Sequence, residues 1–102
     1  MRIFLGEADR LNGEPLYDAI VKRLRMMDIA GATVYRGILG YGAKGHTHKN
    51  SRDLPMMISV IETENKVTQA VEAVEAMLED ALIVISDVEM IRLVHSHELS
   101  AR

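Results

Sequence analysis

Apolar positions along the chain fall into blocks whose repeat alternates between extended and helical. Ile3 to Leu5 is a short apolar stretch that predicts a first strand, and the polar run Gly6 to Gly13 serves as its exit loop. Pro15 opens a helix, where its missing N–H costs nothing. Leu16, Tyr17, Ile20, Val21, Leu24 and Met27 fall on one helical stripe, with Lys22, Arg23 and Arg25 outside it and Gly31 just past the end. Ala32 to Tyr41 is rich in β-branched and aromatic residues and predicts a second strand. Leu54 to Ile61 is a third, with Pro55 near its beginning, where a sheet tolerates it best. Thr63 is placed to cap a second helix, in which Val67, Val71, Val74 and Leu78 keep the helical period with Ala70 and Ala73 close by, while Glu72, Glu75 and Glu79 form the wet side. Leu82 to Val94 predicts a long final strand, aliphatic at first and alternating from Asp87 onward.

The order is βαββαβ, which makes the expected fold an α+β, ferredoxin-like sandwich: an antiparallel four-stranded sheet with two helices on one face. The other face is left open. A sheet with one wet face alternates apolar with polar, yet Met56, Met57, Ile58, Val60 and Ile61, and again Leu82 to Ile85, are apolar at both alternating positions. Something must bury the second face, and a symmetric homo-oligomer is the least elaborate candidate.

Size supports that expectation. The 102 residues make one domain, 1–102, and a lone domain of this length buries only roughly two-thirds of its unfolded surface. At 48% hydrophobic and 26% charged the composition is ordinary for a globular chain, but the core is aliphatic, with seven Met, no Trp, and Phe4, Tyr17, Tyr35 and Tyr41 as its aromatics.

A net charge of −3 counts against general nucleic-acid binding, and the absence of cysteine removes disulfides and thiolate sites. Arg2 and Glu7 interrupt the N-terminal stretch too early for a signal peptide, and no apolar run reaches the eighteen or so residues of a membrane span, so a cytoplasmic location is expected.

The charge is uneven. From Gly40 to Asp53 the chain reads GYGAKGHTHKNSRD, a basic loop expected to be mobile. Lys44, Lys49 and Arg52 stand there against Asp53, a local +2 that leaves −5 for the remainder. Glycines that let backbone N–H groups approach, followed by basic side chains, are what phosphate binding needs. The Walker spacing is absent, and the same residues equally suit a solvated hairpin tip whose glycines serve only the turn. His46 with His48, and His95 with His97, are spaced to share a face in extended chain and so to offer two imidazoles to a transition metal, although solvated histidines are commoner. The serines lie in no nucleophile-elbow pattern and no carboxylate pair is set to split its pKa values, so the chain is expected not to be an enzyme.

Gly31-Ala32-Thr33-Val34, followed by Gly40-Tyr41-Gly42-Ala43-Lys44-Gly45-His46-Thr47, resembles the PII signal-transduction superfamily, with its G-x-T-V strand start, G-F-G turn and basic K-G-H stretch; the Asp87-Val88-Glu89 run is similar again. LGE near the start, PLY on the first helix, GATVYRGILGYG and then DLP look more specifically like a short PII-like branch, the domain-of-unknown-function 190 family. The resemblance implies a homotrimer with the open sheet faces packed together, adenine nucleotide in clefts between subunits at the base of the loop, and a downstream partner such as a membrane transporter or channel. The family's T-G-x-x-G-D-G-K turn is replaced by Asp80-Ala81-Leu82-Ile83, so its phosphate-binding lysine is missing, and no tyrosine stands between Gly42 and Asp53 to be nucleotidylated.

The expected function is therefore a non-enzymatic signalling protein that binds AMP, ADP or ATP as a ligand, with no covalent cofactor and no nucleic-acid partner. Its expected ligand-binding residues are Arg36, Gly40, Tyr41, Gly42, Lys44, His46, His48 and Arg92. The alternative is a divalent-metal-responsive trimer of the cation-tolerance type, using His46 and His48.

Overall fold

A computed structural model describes residues 1–42 and 53–95. Its elements in chain order are β1 (Arg2–Gly6), β2 (Arg10–Leu11), β3 (Glu14–Pro15), α1 (Leu16–Met26), β4 (Ala32–Arg36), β5 (Pro55–Val60), α2 (Glu64–Glu75) and β6 (Leu82–Val84). The main sheet has the order β4-β5-β1-β6 with every neighbouring pair antiparallel. That order is the ferredoxin-like one, and α1 and α2 pack against each other.

Alternation along the strands decides what the helices cover. Ile3 and Leu5 of β1, and Met56, Ile58 and Val60 of β5, are buried against Leu16, Ala19, Ile20 and Leu24 of α1 and Ala70 and Val74 of α2. Val34, Ala32 and Ile83 complete this layer from the edge strands. Each large aliphatic side chain so buried contributes roughly 1.5–3 kcal/mol. The opposite face carries two rows in register: Tyr35, Met57, Phe4 and Leu82, then Thr33, Ser59, Arg2 and Val84. Neither α1 nor α2 covers these rows, and Tyr35 and Leu82 are about half exposed.

Several boundaries differ from the sequence expectation. The polar segment after β1 is not merely a loop: β2 and β3 form a small hairpin closed by Asn12 and Gly13, both at positive φ (51° and 82°). A two-residue Asn-Gly connection supplies the positive-φ pair that a tight hairpin needs. Pro15 consequently pairs with Arg10 and precedes α1, instead of being its first helical residue. The left-handed residue that ends α1 is Asp28 (φ 58°), three residues before Gly31. The N–H groups of Asp28 and Ile29 donate to the carbonyls of Arg25 and Leu24, which satisfies the last turn, and Ile29 packs on the core.

β4 stops at Arg36, well short of Tyr41. Its partner β5 begins at Pro55, which has no N–H to extend the ladder. The final strand is three residues long where thirteen were expected. Beyond Val84 the chain continues through Ile85, Val88, Met90, Ile91, Leu93 and Val94, all exposed. β1 begins opposite Val84, so a strand that ran on would find no further neighbour in its own sheet.

Candidate functional site

The two legs of the Gly40–Asp53 loop leave the sheet at the end where β1 exits, and the turn after β1 touches both. On the returning leg, the Glu7 N–H donates to the Leu54 carbonyl at 2.9 Å and the Ala8 N–H donates to Asp53 Oδ1 at 2.8 Å. On the outgoing leg, the Glu7 carboxylate pairs with Nε of Arg36. The turn itself is held by the Gly6 N–H donating to Asp9 Oδ2 at 2.9 Å. Across the legs, the Gly37 N–H donates to the Pro55 carbonyl at 2.7 Å.

Glycine is demanded here for two reasons. A Cβ on Gly37 would stand 2.6 Å from Pro55 Cγ, so one leg would have to shift to admit it, and one on Gly40 would stand a tight 3.3 Å from the same atom. Gly42 sits at φ +86°, a conformation that other residues rarely adopt.

Of the residues singled out from sequence, Arg36, Gly40, Tyr41 and Gly42 lie along the outgoing leg. Arg36 shares the alternation of Ala32 and Val34 and projects an exposed guanidinium beyond the covered core. Tyr41 is almost fully exposed, as are Ile38 and Leu39 before it. Lys44, His46 and His48 lie outside the described residues. Arg92 is not brought to this end by its own chain, because β6 runs antiparallel to β1 and its continuation leaves the sheet at the opposite end. Sequence reasoning did not single out Glu7, Asp53 or Gly37. The signals were the paired polar residues flanking each leg and the Gly37–Pro55 crowding, and only the register places them together.

The β6 side of the same end has the wrong sign for an anion. Asp9, Glu79 and Asp80, with Arg10, line a cleft of about 330 Å³. Leu82, at the start of β6, sits on the open sheet face opposite Phe4. Positive charge at the loop base is therefore offered from the β4 side, by Arg36.

A second clasp holds the far end of the sheet. Glu62 accepts from the Ala30 N–H at 2.8 Å and the Thr63 N–H at 3.0 Å, and these two backbone bonds, with Lys66 nearby, hold its carboxyl below the ordinary glutamate range. Thr63 caps α2 by accepting from the Lys66 N–H, and the Lys66 ammonium donates to the Asp28 carbonyl at 2.8 Å. On α1, Lys22 is held above its usual range by its hydrogen bond to Glu14 and by the charge of Asp18. Among the described residues no group of three metal-ligating side chains converges, and no helix is long and apolar enough to cross a membrane.

This arrangement defines the class: a four-stranded ferredoxin-like α+β protein with one bare sheet face and a glycine-crowded loop base at one end. Residues 1–90 match the DUF190 family, described as an uncharacterized ACR, and the chain belongs to that family. It is 35% identical to a UPF0166 protein of Methanocaldococcus jannaschii, with 85% of each chain covered. It is 32% identical to a UPF0166 protein of Aquifex aeolicus, covering 91% of this chain and 92% of the relative.

Proposed function

We propose that this protein is a non-enzymatic regulator that binds an adenine nucleotide at the base of the Gly40–Asp53 loop, in a cleft shared between copies of a homotrimer, and signals by the conformation of that loop. The observation that carries the reading is the convergence of both loop legs on the Glu7–Ala8 turn. A ligand seated there touches the roots of the basic loop, and a bound state that favours one loop arrangement over another shifts its population. Gly37, Gly40 and Gly42 leave three positions of the outgoing leg without side chains beside the Arg36 guanidinium, which suits an anionic group. The uncovered row Tyr35, Met57, Phe4 and Leu82 supports assembly through the open face, and the exposed arm from Ile85 to Val94 supports a site completed by Arg92 of a neighbouring copy. A membrane transporter or channel is the class of partner that the loop would engage.

Calorimetric titration with AMP, ADP and ATP tests the reading. Binding of at least one adenylate is expected, and Lys44→Ala should weaken it by roughly 1–3 kcal/mol, the worth of a charged hydrogen bond. No heat and no thermal shift with any adenylate at millimolar concentration would overturn it.

A further inference from the structure

Glu7 occupies an unusual position for an acidic residue beside a proposed anion site. It holds both legs of the loop through separate groups: its N–H to the Leu54 carbonyl, its carboxylate to Arg36. Its side chain is only about a quarter exposed, whereas that of Arg36 is more than half exposed, so the Glu7 backbone is anchored at the turn while the guanidinium can turn toward solvent. Among the described residues, Glu7 is the ion-pair partner that Arg36 has. A guanidinium presents its donors in a planar fork that suits a phosphate as well as it suits a carboxylate.

We infer that Glu7 is a built-in competitor for the phosphate site: it holds the Arg36 guanidinium when no anion is bound, and a phosphate group of the ligand takes its place. This rests on the nucleotide reading above and adds the regulation of that site. Glu7 is thus a positioning residue that sets affinity, keeping weak anions off the loop base while letting a polyphosphate displace it. An exposed ion pair of this kind is weak enough to be exchanged, which is what a ligand-displaced latch requires.

The test is calorimetry with ATP, ADP, AMP and inorganic pyrophosphate on the full chain and on Glu7→Gln, Arg36→Gln, the double variant and Glu72→Gln, which removes an equal charge from the exposed side of α2. Glu7→Gln should bind pyrophosphate and the preferred adenylate about two- to fivefold more tightly, the range set by an exposed pair. Glu72→Gln should change little, and the gain should vanish when Arg36 is also replaced. A gain no larger than that of Glu72→Gln, or one that persists without Arg36, overturns the inference. If adenylates bind the parent chain but Glu7→Gln gives no gain, the latch fails and the nucleotide reading stands. If pyrophosphate gains through Arg36 while no adenylate binds, the latch stands and the nucleotide reading falls. No binding of either probe to any variant overturns both. Thermal unfolding of Glu7→Gln within about two degrees of the parent confirms that the fold is intact.

Discussion

Met57 and Ile58 are neighbours on β5 with similar side-chain volume, yet their surroundings have little in common. Ile58 is completely buried under the helices, flanked in register by Ile3 and Val34. Met57 faces the other way, in a row with Tyr35, Phe4 and Leu82 that neither α1 nor α2 covers. One strand therefore serves two purposes. Its inward residues stabilise the fold, and its outward Met57 belongs to an apolar row that the proposed homotrimer would bury. The contrast teaches that hydrophobicity on both faces of a strand is a statement about assembly as much as about the core.

The comparison breaks most sharply at Met57. Met57→Lys is expected to dissociate the proposed homotrimer, since a charge buried without a partner costs about 3–5 kcal/mol, and light scattering should then report a monomer. If the parent is itself a monomer, or the variant assembles unchanged, the open face is not an interface. Ile58→Ala, one residue on, should cost about 2–5 kcal/mol of folding stability in denaturant titration, through lost burial and the cavity left behind. That loss should appear in the fold of each copy and not specifically in its assembly.

The two ends of the sheet sharpen the comparison further. Gly37→Ala should cost about 1–3 kcal/mol, because its Cβ would stand 2.6 Å from Pro55 Cγ and one loop leg must shift. The same variant should change adenylate affinity if the loop base is the site. At the far end, Glu62→Gln tests the second clasp. Because the folded carboxyl is held below its ordinary value of 4.5, its stabilisation is present above that pH and is lost as pH falls through the lower folded value. The parent should therefore be more stable than the variant at neutral pH, and the gap should close as the solution is acidified below pH 4.5. A gap independent of pH would mean that the carboxylate charge is not what holds Ala30 and Thr63.

Much of this architecture is legible in the residues themselves. Strand and helix periodicities place β1, β5, α1 and α2 near their observed spans and the start of β4 at Ala32, and Thr63 caps α2 as its chemistry dictates. The β2–β3 hairpin escaped notice although Asn12-Gly13 announces it, since two-residue strands carry no periodic signal. The final strand was overestimated for the opposite reason. Alternation and β-branching from Ile85 to Val94 describe chain suited to a sheet, but a strand exists only where a partner offers its hydrogen bonds, and within one chain the partner ends at Arg2. At the site, Arg36, Gly40, Tyr41 and Gly42 were visible as a glycine-rich, basic stretch. Glu7 and Asp53 were not, because they lie tens of residues apart and only the β1–β5 pairing brings them together.

The sequence by itself determined the order of the four main strands and two helices, the family, the aliphatic core and the uneven charge, because each is written in local pattern and residue type. Tertiary structure decided which residues share the loop base, where β4 and β6 end, and which face of the sheet stays bare. Those depend on strand register and on hydrogen-bond partners distant along the chain, and no local repeat encodes them.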